Sequence, residues 1–342
     1  VTYLAVDLGV SAVTAAVWSP SGLVSVARSP LPDDATPRDW WSAVESSVGA
    51  LSADLVEVSA VGCSGSADVS VLLARDGEPL SVVRGPLPLA SSLSGGLPAD
   101  VGWVAGGRDF LASLLTGRLA SDPTAASATG FFGADGTLSD AAAAAAGVDP
   151  SWLPPQRGST DVLGDLLLPA ARRLGLRTRL PVVMGATSQM CAVEGIGALP
   201  VAPLVTYAGP SSVLVSVPVE PPVPSVPDGV LLRAGGRSYQ VLEAPLSSTD
   251  VAGVARVVRS LAPGVQIVYL HGAADADWRV RLAAATGVPV VRRRSGEPVT
   301  LGLAMLTATG VGEHLDRDAA DPVDGVDVPD PGLAQDYADV GG

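Results

Sequence analysis

The 342-residue chain contains no lysine: all 21 basic residues are arginines, set against 35 carboxylates for a formal net charge of −14. So acidic a surface repels polyanions, which argues against a nucleic-acid partner. The one basic cluster, Arg292, Arg293 and Arg294, reads more readily as a solvated strand end than as a phosphate site. Cysteine is almost absent. Cys63 and Cys191 lie far apart without metal-type spacing, which excludes a disulfide framework and points to a reducing, cytoplasmic setting. Aromatics make up only 4% of a composition that is 47% apolar, so cores have to be built from Val, Leu and Ala. No uncharged apolar run approaches the roughly 18 residues of a membrane span, and no basic leader precedes the first apolar segment, so neither a bilayer segment nor a secretory signal is expected.

What is present is a succession of strand, small-residue turn and helix on a scale that suits two domains. Leu4, Val6 and Leu8 alternate, Gly9 breaks the pattern, and Val13 and Val17 resume it. A second turn at Ser19 to Gly22 leads into Leu23, Val24 and Val26, predicting three consecutive antiparallel strands. The turn Asp7 to Ser11 is a candidate phosphate loop, with backbone N–H groups around Gly9 and Ser11 and with Asp7 reaching a magnesium ion through water. A plain hairpin explains the same residues. An amphipathic helix is expected over Trp40 to Leu51, started at Thr36-Pro37. The strand Val56 to Val61 runs into the glycine-rich turn Gly62 to Asp68, a favoured ligand edge whose charge is Asp68. A hairpin follows at Ser70 to Leu73 and Leu80 to Val83, and Gly85 to Gly102 reads as loop. Helices are predicted over Arg108 to Leu115 and over Leu163 to Leu174, the latter stopped by Gly175. The alanine run Ala141 to Ala146 is explained by helix propensity alone.

The centre of the chain, Pro181 to Gly197, reads as a buried strand, a turn at Gly185 and a small-residue helix opening at Thr187 and Ser188. A strand that runs into a helix N-terminus can floor a ligand cleft. Leu204 to Val217 then repeats the shape of the N-terminus. Strand, small-residue turn at Gly209, Ser211 and Ser212, strand: this suggests a duplicated architecture with two phosphate loops facing one cleft. A third loop at Gly272 and Ala273 follows the strand Gln266 to Leu270 and precedes a helix ending at Thr286. Asp318, Asp321, Asp324, Asp327 and Asp330 recur every three residues without the spacing of a calcium loop, which reads as a solvated acidic tail.

In order along the chain, these segments resemble the FGGY carbohydrate kinases and, within them, the xylulokinases. YLAVDLGVSAV is similar to the family's opening phosphate hairpin and PRDWW to its tryptophan helix start. GCSGSAD is similar to the turn bearing sugar contacts, and RDFLASLLTGRLASDPTAAS to the family's KDYL…TG…SD segment. PVVMGATSQMCAVEGIG, AGPSS and HGAADADWR stand where the family has its GGGDNAAG-type turn, second phosphate loop and adenine loop. The resemblance implies an α/β fold of two ribonuclease-H-like domains, of the actin and hexokinase kind, around a nucleotide cleft, with an abbreviated second domain. The division expected is 1–197, 198–315 and an acidic tail at 316–342. It further implies ATP and Mg²⁺ as cofactors, Asp7 at the metal and phosphate, and Gly9, Ser11, Gly209, Ser211, Ser212, Gly272 and Ala273 at the nucleotide. Ser66 and Asp68 fall at the sugar, a nucleotide and a small sugar are the ligands, and a homodimer is a possible assembly.

The chain departs from that pattern at its chemistry. Ser188 occupies the position of the family's aspartate base. Val10 and Thr14 stand at its phosphate-hairpin threonine and lysine, and Pro210 removes one N–H from the second loop. Ser66, Ala67 and Asp68 replace Gln-Met-His, and VVRGPLPLASS has no WNDGR segment. Three readings remain open: a degenerate kinase homologue that retains ligand binding, an active ketose kinase using Asp68 or Glu194 as a substitute base, and a structural or regulatory module with an empty cleft.

Overall fold

In the computed structural model the described residues are 1–85, 89–93, 96–133, 135–197, 204–207, 212–219, 230–234, 237–245, 251–261, 268–270 and 276–337. Gly209, Ser211, Gly272 and Ala273 therefore lie outside the described residues. The first half supplies strands β1 (Thr2–Leu8), β2 (Ala12–Ser19), β3 (Gly22–Pro30) and β4 (Val58–Gly65). They are followed by β5 (Val69–Ala74), β6 (Pro79–Arg84), β7 (Val101–Gly106), β8 (Val162–Asp165) and β9 (Pro181–Val183). The second half supplies β10 (Leu204–Tyr207), β11 (Ser212–Val219), β12 (Val230–Ala234) and β13 (Arg237–Pro245), then β14 (Val268–Leu270), β15 (Val290–Arg293) and β16 (Val323–Asp327).

Two large sheets share a central strand order, to which the second adds the edge strand β12. The first runs β3-β2-β1-β4-β9-β8, and the second runs β12-β13-β11-β10-β14-β15-β16. In each, a strand pairs antiparallel with its successor on one side (β1 with β2, β10 with β11) and parallel with a later strand on the other (β1 with β4, β10 with β14). Each sheet also closes on an antiparallel edge, β8 on β9 and β16 on β15. The duplicated architecture expected from the sequence is thus a property of the strand order. A small third sheet, β6-β5-β7, is attached to the first half.

Strand alternation sorts the first core into two layers, because successive side chains of a strand face opposite ways. Leu4, Val6 and Leu8 join the cluster that includes Trp40, Val44, Phe110 and Leu115. Tyr3 and Ala5 face the other way, among Trp18, Met190, Cys191, Leu301 and Ala304. The helix Pro37–Gly49 on the first face is entered through a capping box, Thr36 with Asp39, as its threonine-proline start predicts. On the second face lie two small-residue helices, Ser188–Ile196 and Pro298–Gly310. Their approach is close enough that a Cβ on Gly195 would meet Pro298 O at 2.0 Å, and one on Gly302 would meet Cys191 O at 1.9 Å. Backbone-to-backbone contact of this kind is what a helix poor in large side chains permits.

Several expectations are corrected. The predicted helix Leu163 to Leu174 is two elements. Its first part is β8, and the helix is Leu168–Leu174, entered through Pro169 and ended by Gly175 in the left-handed conformation. An edge position for β8 and the proline start explain the split. The stretch Gly85 to Gly102 leads into β7, which begins at Val101 and pairs with β5. The residues taken as a solvated acidic tail are in part built into the second sheet. Asp321 is 1% exposed and accepts from Ser295 N and Oγ, both at 2.8 Å, and β16 carries Asp324 and Asp327 to Arg292 and Arg279. The recurring aspartates serve as arginine partners, Asp318 with Arg293 among them, and as a cap, Asp330 at the short helix Pro331–Ala334.

Candidate functional site

On the inner face of β1 the side chains run Tyr3, Ala5, Asp7, and the last is polar where the first two pack against the paired helices. Asp7 is 8% exposed. The neighbouring strand places Ser64 beside it, and the Ser64 hydroxyl donates to Asp7 Oδ1 at 2.7 Å. The Ser188 hydroxyl donates to the same oxygen at 2.6 Å. Ser188 opens the central helix, with the Thr187 hydroxyl accepting from Met190 N as the N-cap, so the carboxylate faces the positive end of a helix dipole. Burial still pushes the Asp7 carboxyl above its ordinary range. The two serine hydroxyls and the Arg28 guanidinium offset this only in part.

Directly opposite positions in antiparallel strands share a face of the sheet. Asp7 faces Thr14 on β2, and Thr14 faces Arg28 on β3. Arg28 bridges to Glu297, which immediately precedes the helix Pro298–Gly310. Burial, opposed by Arg28 and reinforced by Asp321 and Asp7, raises the Glu297 carboxyl.

The hairpin between β1 and β2 is tight. A Cβ on Gly9 would fall 2.9 Å from Ala12 O, and the Gly9 N–H donates to that same carbonyl at 3.0 Å. Gly9's own N–H is thus engaged inside the turn. Ser11 is exposed. In the second half, Ser212 begins β11.

The RDF…TG…SD segment contributes a buried ionic cluster that the sequence did not reveal as such. Arg108, 2% exposed, donates to Asp122 Oδ1 and to Met184 O, each at 2.6 Å, and lies 2.8 Å from Asp109 Oδ1. Asp122 caps the helix Pro123–Ala128 and accepts from the Ser159 hydroxyl at 2.7 Å. The adjoining Thr124 hydroxyl accepts from Thr187 N at 2.8 Å. Arg108 and Thr124, both held by Asp122, therefore fix the two ends of the turn Met184 to Thr187 that delivers Ser188. Gly185 in that turn has φ +69°, and a Cβ on it would meet Cys63 O at 2.0 Å. Burial is the largest influence on Arg108 and pulls its pKa down, but the two carboxylates together raise it, so it stays charged. Burial raises Asp109.

A small cleft lies beside this turn, lined by residues that include Gly65, Ser66, Ala67, Ser70, Arg108 and Thr187. Ser66 thus lines the cleft. Asp68 accepts from the Ser66 hydroxyl at 3.1 Å, and its N–H donates back to that hydroxyl at 3.2 Å, so its carboxylate is folded against Ser66. Glu194 does not join the site. It lies six residues along the helix from Ser188, about 9 Å of axial rise, and its environment is burial and Arg317. Of the arginine cluster, Arg294 is exposed as expected of a solvated strand end, but Arg293 is 7% exposed and donates to Ile196 O at 3.2 and 3.3 Å and to Asp321 O at 2.5 Å. It therefore satisfies the C-terminal carbonyl of the helix whose first residue is Ser188, a place where a cation complements the dipole.

Among the described residues no three His, Cys, Asp or Glu side chains gather as a metal site. Asp7 fits the more modest role that magnesium allows. Its Oδ1 is taken by two hydroxyls, and a hard cation that keeps its waters can be held through one of them by a single carboxylate. No helix of the described residues is long and apolar enough to cross a membrane.

Residues 98–195 match the family model for the N-terminal domain of the FGGY family of carbohydrate kinases. A search of curated proteins by sequence returns no match. Among solved structures, the ligand-bound xylulose kinase from Lactobacillus acidophilus superposes with a TM-score of 0.83 at 13% identity, covering 99% of this chain and 96% of that one. The xylulose kinase from Rhodospirillum rubrum gives 0.82 at 19% identity with the same coverage. The Plasmodium falciparum glycerol kinase with ADP gives 0.77 at 11%, again over 99% and 96%. Residues 98–195 are thus similar to the N-terminal domain of the FGGY carbohydrate kinases, and the chain as a whole has the fold of the xylulose and glycerol kinases it superposes on.

Proposed function

We propose that this chain is a sugar-kinase homologue that binds a magnesium nucleotide and a small polyol between its two sheets and transfers phosphate weakly or not at all. The observation that carries the reading is the 2.6 Å hydrogen bond from the Ser188 hydroxyl to Asp7 Oδ1. Where the family's proton acceptor would stand there is a neutral group, already committed as a donor. A serine hydroxyl near neutral pH is no carboxylate base, and the loss of a general base costs about 10²- to 10⁴-fold in rate.

Bound magnesium nucleotide would supply the phosphoryl group and neutralise its charge. Asp7 would hold the ion through water, Ser66 and the neighbouring backbone would orient the polyol, and the Arg108 cluster would keep the turn before Ser188 rigid. Alignment alone accelerates phosphoryl transfer, because that reaction depends mainly on positioning and electrostatics. A residual rate is therefore compatible with the arrangement. The alternative of a fully active kinase rests on Asp68, which adjoins the cleft-lining Ser66. The position of Glu194 along the central helix argues against it as a substitute base.

Calorimetric titration with Mg-ATP and Mg-ADP, followed by a coupled assay over several ketoses on the wild type and on Ser188→Asp, tests the reading. Nucleotide binding with turnover far below the roughly 1–100 s⁻¹ usual for kinases is expected. Wild-type turnover within that range, abolished by Asp68→Asn, would overturn it.

A further inference from the structure

We infer that Arg28 is the phosphate-binding cation of the first hairpin, taking over from the neighbouring strand a task that the short Thr14 side chain cannot perform. The inference deepens the reading above and rests on it only in taking the anion to be a polyphosphate chain. Three observations converge on Arg28. First, register places Asp7, Thr14 and Arg28 in one row across β1, β2 and β3, so all three side chains emerge on the same face. Two strand spacings separate the ends of the row, about 10 Å, and the middle residue is too short to block a side chain that leans across it.

Second, the guanidinium already reaches that region. It bridges to Glu297 at the head of the helix Pro298–Gly310, and its charge favours the ionised form of the buried Asp7. Third, Arg28 is poised and not sealed in. Its side chain is 50% exposed, whereas that of Glu297 is 11% exposed. A guanidinium offers five donors in a planar fork, and the bridge to Glu297 engages one terminal nitrogen, Nη2. The remaining donors can take phosphate oxygens in the bidentate manner that arginine favours. In the unliganded protein Glu297 parks the guanidinium, and a polyphosphate competes with that carboxylate for it.

The probes are magnesium tripolyphosphate, Mg-ATP and adenosine, titrated calorimetrically into the full chain. Tripolyphosphate is expected to bind the wild type, to bind Arg28→Gln at least about tenfold more weakly, the loss expected for one charge-assisted contact, and to bind Arg28→Lys at an intermediate affinity. Glu297→Gln, which releases the guanidinium, is expected to tighten binding severalfold. Thr14→Lys placed in the Arg28→Gln background restores a cation to the same row and is expected to recover much of the lost affinity. A general loss of structure would not be rescued in this way, and thermal unfolding of each variant checks folding directly. Equal affinity of wild type and Arg28→Gln for tripolyphosphate, or no binding to either, overturns the inference. If tripolyphosphate binding depends on Arg28 while Mg-ATP gains nothing over it and adenosine does not bind, Arg28 stands and the nucleotide reading fails.

Discussion

Two polar clusters flank the turn that leads to Ser188, and they are built on opposite plans. Around Arg108, one buried guanidinium meets two carboxylates, a carbonyl and a helix cap, and Asp122 is further held by Ser159 and Thr124. Around Asp7, one buried carboxylate is held by two serine hydroxyls, and the nearest cation is a half-exposed arginine shared with Glu297. The first cluster pairs its ions internally and holds the turn, with Arg108 Nε left without a hydrogen-bond partner. The second leaves its charge only partly met, which is tolerable where a ligand and its cation complete the site.

The largest expected effect comes from breaking the first cluster. Arg108→Met leaves two carboxylates buried without their cation and should cost about 3–5 kcal/mol, read as a lower urea midpoint with an unchanged slope. Next, Ser188→Ala in the second cluster should cost about 1.5–3 kcal/mol, the worth of a hydrogen bond to a charged acceptor, with the Asp7 carboxyl rising further. Ser188→Asp should also destabilise, since it sets a second carboxylate beside Asp7, yet it should raise phosphotransfer toward the 10²- to 10⁴-fold that a base supplies.

Asp7→Asn should act the other way on stability. The folded pKa of Asp7 is raised from 3.8 by burial, so native chains hold that proton longer than unfolded ones. Stability from this group is complete below the unfolded value and is lost as pH climbs through the folded one. The asparagine variant should therefore have a higher Tm at pH 7, a flatter pH dependence above pH 4 and weaker Mg-dependent nucleotide binding. The smallest effect is expected for Glu194→Gln, which should leave any residual phosphotransfer unchanged. A large drop would return Glu194 to the site.

Much of the architecture was legible because it rests on local rules. The three-strand start follows from alternation about Gly9 and the Ser19 to Gly22 turn, and Thr36 and Asp122 announce their helices as caps. The strand-turn-helix setting that opens at Ser188 was legible because it is local, whereas the importance of its side chain came from the resemblance, which sets an aspartate at that position. Arg28 and Glu297, 269 residues apart in sequence, carry no signal that they will meet. The aspartates after Arg317 were misread because acidic spacing looks alike whether it faces water or arginines.

The sequence by itself determined most of the elements and the identity of the side chain that begins the central helix, since caps, turns and strand periodicity act over a few residues, whereas the edge strands β8 and β16 waited on pairing partners. Only the tertiary structure decided what that side chain does: the hydroxyl of Ser188 turns to Asp7, 181 residues away. Strand register likewise set Arg28 in the row of Asp7, and packing buried Arg293 against the far end of the helix. Such pairings depend on register and burial, which are properties of the assembled sheets and not of any one segment.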